Sequence, residues 1–124
     1  MRLRVARHTT ALQPLINFYT MVLGLEVMGE FKDHNNYDGV FIGAKNPAWH
    51  LEFTVSNAPP EHYADEDDLL VFYAESAEQY DKIKENIIAR NIPQATSKNP
   101  YWKENGLTII DPDGFIVVIT LDKD

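Results

Sequence analysis

The sequence predicts an α+β fold built from two tandem βαβββ units. Three observations carry that expectation. The order strand, helix, three strands is read twice along the chain, and each helix-like stretch has one apolar stripe. The chain has 124 residues, 44% of them hydrophobic, which is enough for a single domain over residues 1–124. It has no cysteine, so neither disulfides nor a Cys-bound zinc holds it together.

The first unit is expected over residues 1–57. Arg2 to His8 alternates, with Leu3 and Val5 on a buried side and Arg2, Arg4, Ala6 and His8 opposite, as a strand with one covered face does. Leu12, Leu15, Ile16, Tyr19, Val22 and Leu23 then line one side of a helix. Thr10 and Gln13 read as its capping box, Pro14 moves the first turn later, and Gly24 ends it in a left-handed turn. Three strands follow, 25–31, 37–43 and 49–55. They are separated by Asp33-His34-Asn35-Asn36 and Lys45-Asn46-Pro47, both rich in turn formers.

Residues 56–67, with Pro59-Pro60 and the acids Glu61, Asp65, Glu66 and Asp67, read as a linker or surface loop. The second unit is expected over 66–124. Residues 68–74 form a strand, and Ser76 to Arg90 a helix with a Ser76/Gln79 capping box and a stripe of Ala77, Tyr80, Ile83 and Ile87. Asn91, which tolerates the left-handed conformation, ends that helix. Strands at 92–96, 106–111 and 115–121 complete the unit, the last two joined by the tight turn Asp111-Pro112-Asp113-Gly114. A sheet with one helix on one face leaves its other face open, so two such units can close around a shared cavity.

Charge narrows the function. The net charge is −8, and residues 58–124 carry fourteen acids against six bases, where residues 1–57 carry five of each. Such a surface repels a polyanion, so no nucleic-acid partner is expected. No apolar run approaches the roughly 20 residues a membrane span needs, and Met1-Arg2-Leu3-Arg4 lacks the apolar stretch of a secretory signal. The expectation is a soluble cytoplasmic protein with no membrane association.

There is no glycine-rich phosphate loop, no cysteine nucleophile and no Gly-x-Ser-x-Gly elbow. None of the four histidines, His8, His34, His50 and His62, has a His-x-x-x-His partner, and His34 and His62 fall in expected loops. The most informative stretch is Trp49-His50-Leu51-Glu52-Phe53-Thr54. Alternation puts His50 and Glu52 on one face about 7 Å apart at Cα, suited to an acid–base couple, to metal ligation or to the floor of a ligand site. The same pattern is also the ordinary solvent face of an antiparallel sheet. Tyr101 and Trp102, in a polar loop from Asn99 to Gly106, suit stacking on a ligand, the plugging of a cavity or a dimer contact. Arg4, Glu52 and Asp68 converge if the units pack around one cavity.

The βαβββ-βαβββ order, Ile16-Asn17-Phe18-Tyr19 leading to Val22-Leu23-Gly24-Leu25, and the turn Asp111-Pro112-Asp113-Gly114-Phe115 resemble the vicinal oxygen chelate superfamily. This is the group of glyoxalase I, bleomycin resistance proteins and extradiol dioxygenases. The resemblance implies the glyoxalase/bleomycin resistance/dioxygenase fold, with a pseudo-two-fold axis between the units and homodimers. Its metal-dependent members take one ligand from each of the first, fourth, fifth and eighth strands, positions that fall here on Arg4, Glu52, Asp68 and Val118. Glu52 matches the pattern and Asp68 supplies an oxygen, whereas Arg4 and Val118 cannot bind a divalent cation. A guanidinium roughly 4 Å from such an ion costs on the order of 8 kcal/mol at an effective dielectric near 20. Glu52 or Asp68 is instead the expected partner of Arg4.

The resemblance therefore implies a protein without metal or other cofactor whose cavity binds a small organic molecule. Arg4, His50, Glu52 and Asp68 would make its polar contacts and Tyr101 and Trp102 its aromatic wall. An antibiotic-sequestering protein is one form of this, and the −8 charge is compatible with a cationic ligand. The alternative is a glyoxalase-like lyase or isomerase with Glu52 as metal ligand or general base.

Overall fold

A computed structural model describes residues 1–45 and 48–122 of the chain. Its Cα framework divides into two compact units, Met1–His62 and Tyr63–Asp124, each holding a four-stranded mixed sheet with helices. The α+β architecture of two tandem units is the one the sequence predicts. Among the described residues no helix is long and apolar enough to cross a membrane.

In the first unit β1 (Leu3–His8) runs parallel to β4 (Trp49–Val55), and β3 (Tyr37–Gly43) and β2 (Glu26–His34) follow antiparallel in the order β1-β4-β3-β2. Joining two parallel neighbours needs a crossover, which α1 (Leu12–Asn17) and a wider π-helical turn at Phe18–Val22 provide in part. That segment turns Leu15, Phe18, Tyr19, Val22 and Leu23 inward against Val40, Ile42, Leu51 and Phe53, all of them buried. Tyr19 stacks on Phe53 with ring centroids 5.2 Å apart. Each such burial contributes about 1.5–3 kcal/mol. Gly24 ends the segment at φ +75, its N–H donating to the Thr20 carbonyl at 3.1 Å.

Three expectations for this unit are corrected. The helix cap is Ala11, with no side-chain bond, rather than Thr10. Starting at Leu12 puts Pro14 third in the helix, where it has no N–H for a capping side chain, and Gln13 bonds Asn17 instead at 2.8 Å. Leu3 and Val5 share the side of Leu51 by register, yet they are 60% and 41% exposed. The reason is that α1 packs chiefly on β3 and β4, away from the edge strand β1. Finally, β2 extends to His34, which pairs with Tyr37, so His34 is exposed on a strand rather than in a loop. The turn shrinks to Asn35-Asn36, both at positive φ as a tight two-residue hairpin requires. In the second separator, Asn46 and Pro47 lie outside the described residues.

In the second unit β5 (Leu69–Ala74) runs parallel to β8 (Ile116–Leu121), followed by β7 (Leu107–Ile110) and a two-residue β6 (Gln94–Ala95). The crossover helix α2 (Ala77–Ala89) is capped by Ser76, whose hydroxyl accepts from the Gln79 N–H at 3.1 Å. The Gln79 side chain accepts in turn from the Glu75 N–H at 2.7 Å, a capping box shifted by one residue. Ile83 and Ile87 are buried, as are Ala74, Ile109, Val117 and Ile119 of the sheet. Of the expected stripe, Ala77 is exposed and Tyr80 half-buried. Asn91 lies just beyond the helix at φ +52. Asp111, buried, accepts from the N–H groups of Asp113 and Phe115, and Gly114 takes φ +88.

The expected loop from Asn99 to Gly106 is a short helix, α3 (Pro100–Asn105). Asn99 accepts from the Tyr101 N–H at 3.0 Å, and Pro100 occupies a first-turn position where a missing N–H costs nothing.

Candidate functional site

The side of the first sheet turned away from α1 is built by alternation. It presents Arg4, Ala6 and His8 from β1, His50, Glu52 and Thr54 from β4, and Gly39, Phe41 and Gly43 from β3. The parallel register sets Arg4 opposite His50 and Ala6 opposite Glu52. A bulge between Val27 and Gly29 makes Met28 the extra residue of β2 and frees it from the alternation.

These elements form a cleft of about 270 Å³ lined by Arg2, Arg4, Met28, Phe41, Trp49 and His50. In its lining the Arg4 Nε–H donates to His50 Nε2 at 2.8 Å. Arg4 has only donors to offer, so His50 Nε2 is the acceptor of this bond. The guanidinium carbon lies 4.7 Å from the centroid of Phe41, within cation–π range. Phe41 in turn meets the His50 ring edge-on at 5.8 Å and the Phe31 ring at 5.7 Å. Glycine makes room for this row, because Phe31 lies over Gly39, and a Cβ on Gly43 would stand 3.2 Å from the His50 Cβ.

Of the six residues singled out by sequence, Arg4 and His50 meet in this cleft. Within the first unit the expected pairing of Arg4 with Glu52 is corrected, since Arg4 meets His50 and Phe41 instead. His50 wins because the register sets it directly across from Arg4, with Glu52 one step further along. Glu52 is half-buried on the same face, and its side chain has no hydrogen bond or ion pair among the described residues. Phe41, Met28 and Arg2 were not anticipated; Gly39-Val40-Phe41-Ile42-Gly43, an aromatic between two glycines on a polar face, was the available signal.

The other three belong to the second unit. Asp68 is exposed one residue before β5, its N–H donating to the Asp65 carbonyl at 3.1 Å. Tyr101 and Trp102 meet edge-on at 4.8 Å, and Trp102 reaches Tyr73 at 6.4 Å. Their helix is tied to β8 by the Thr120 hydroxyl, which donates to the Asn105 carbonyl at 2.6 Å. Beneath it Val118 is fully buried.

The donor set does not suit a divalent cation. The His50 Nε2 lone pair is engaged by a guanidinium, Val118 has no donor atom and is sealed, and Arg4 is itself a cation. Among the described residues, no three His, Asp or Glu side chains are grouped to hold a metal.

Residues 3–54 match the YycE-like N-terminal domain and residues 67–120 the YycE-like C-terminal domain. The chain is 40% identical over 126 aligned positions to YycE of Bacillus subtilis (strain 168), covering 98% of this chain and 88% of that one. The crystal structure of B. subtilis YycE superposes with a TM-score of 0.88 at 38% identity, covering 99% of this chain and 90% of that one. Glyoxalase I of Leishmania major shares the fold at a TM-score of 0.75 and 19% identity, covering 99% and 87% of the two chains. The fosfomycin resistance protein FosX of Listeria monocytogenes does so at 0.69 and 11%, covering 97% and 89%. The two matched domains and the identity to YycE show that this chain belongs to the YycE-like family, and it shares the fold of glyoxalase I.

Proposed function

We propose that this protein binds a small organic molecule in the cleft of its first unit and does so without a metal ion. The observation that carries the reading is Arg4 held by His50 and the Phe41 ring in a cleft of about 270 Å³. That size is just below the roughly 300 Å³ at which ordinary ligand pockets begin, so the ligand is small. Apolar walls with a few fixed polar groups are what such sites are made of. Sequestration of an antibiotic is one use of this binding, in the cytoplasm and by a homodimer.

Elemental mass spectrometry of the purified protein, with thermal unfolding in the presence of zinc, nickel and manganese, tests the metal-free part. A metal that binds the folded state raises the melting temperature. No stoichiometric metal and no rise are expected. Stoichiometric metal that disappears in Glu52→Ala overturns the reading. Sedimentation tests the dimer, which a 14.2 kDa species at every concentration removes.

One observation favours a second reading. Glu52, whose side chain has no partner among the described residues and which shares a sheet face with His50, supports a general-base role in a lyase or isomerase. Turnover that vanishes in Glu52→Gln while ligand binding survives selects the enzyme.

A further inference from the structure

We infer that the ligand of this cleft is a small organic anion, a carboxylate or phosphonate joined to an apolar body. The inference rests on the small-molecule reading above and assigns the chemical class. The −8 charge of the whole chain suggests a cationic ligand, and the cleft has the opposite character. Two of its six lining side chains, Arg2 and Arg4, are guanidinium cations, and none is a carboxylate. Neither arginine has a carboxylate partner among the described residues. In an acidic protein with many carboxylates to offer, two cations stand at one concave spot without a carboxylate partner among the described residues.

The geometry of Arg4 sharpens this. Its Nε is occupied by His50, and its plane is held near the Phe41 ring. Both terminal nitrogens therefore remain, among the described residues, without a partner. This pair of donors is the fork that matches two oxygens of a carboxylate or phosphonate. Because His50 and Phe41 already fix the guanidinium, little rotamer freedom is lost on binding. Phe41, Met28 and Trp49 supply the apolar surface for the rest of the molecule. A cationic ligand meets two like charges here, and a neutral one leaves the fork unmatched.

The test uses four probes of one size: phenylphosphonate, benzoate, benzyl alcohol and benzylamine. Trp49 lines the cleft, and the chain has two tryptophans, so its emission is read in a Trp102→Phe background. Calorimetry on the unaltered protein runs in parallel. The two anions are expected to bind at least tenfold tighter than benzyl alcohol, with benzylamine weakest. Arg4→Gln should abolish the preference and Arg4→Lys keep part of it. If benzyl alcohol or benzylamine binds as tightly as the anions, the assignment of an anion fails and the small-molecule reading survives. Anion binding unchanged in Arg4→Gln also overturns the assignment. No binding of any probe at millimolar concentration removes both readings.

Discussion

The ring of Phe31 lies over Gly39, its cross-strand partner, so that a Cβ built on Gly39 would collide with the far edge of the ring at Cζ and Cε1. The glycine is buried, and the ring fills the space its missing side chain leaves. Through Phe31 the same contact supports Phe41, and through Phe41 it supports Arg4. Gly39→Ala should therefore push Phe31 aside and cost about 1–3 kcal/mol, as overpacking does. Urea unfolding reads the loss, and adding Phe31→Leu should recover part of it, since neighbours that collide are not additive. Equal losses in the single and double variants would show that Phe31 is not what fills the space.

Gly106 plays a comparable part in the second unit. A Cβ there would stand 2.7 Å from Val118 Cγ1 and 3.1 Å from the Ile119 carbonyl oxygen. Its backbone is extended, so alanine meets no φ penalty and the whole effect is steric. We expect Gly106→Ala to lower stability by about 1–3 kcal/mol. At about 3–5 °C per kcal/mol for a domain this size, the melting temperature reports it. A neutral result would mean that α3 moves off β8 freely, which a shift in Trp102 emission would reveal.

The bounds of β3 and β4 follow the sequence closely because alternation and turn formers coincide there, and Ser76 and Asn91 mark α2 for similarly local reasons. α3 escaped because one and a half turns show no periodicity and only its cap, Asn99-Pro100, advertises it. The site divides in the same way. Arg4 and His50 were legible as residues of a polar strand face, but their pairing depends on the register between strands some 46 positions apart. Met28 enters the cleft through a bulge, which shifts the alternation that sequence reading relies on. The exposure of Leu3 and Val5 depends on where α1 lands, a property of packing rather than pattern.

Ser76 offers a calibrated local test. Its hydroxyl satisfies the Gln79 N–H, one of the four amide groups that a helix start leaves without an internal partner. Ser76→Ala should cost about 1 kcal/mol and Ser76→Gly only a few tenths, because glycine lets water reach the freed amide. Chemical denaturation distinguishes the two. Equal losses would assign the effect to something other than the cap.

Tyr80, on the half-buried flank of α2, sets a pH dependence of known sign. Burial pushes its phenol above the ordinary 10.0, and the neighbouring Asp81 carboxylate pushes it further. In alkali the unfolded chain therefore loses this proton first, while the folded protein still holds it. Wherever the folded state binds more protons, stability falls as pH rises. The contribution of Tyr80 is thus fully present below the unfolded value and is lost as pH climbs through the folded one. Tyr80→Phe removes the proton from both states, so its stability should decline less steeply above about pH 10 than that of the unaltered protein. Urea midpoints for the two proteins along one alkaline series decide it. Lysines and the other tyrosines act on both curves alike, so parallel curves would mean that Tyr80 releases its proton equally easily folded or unfolded.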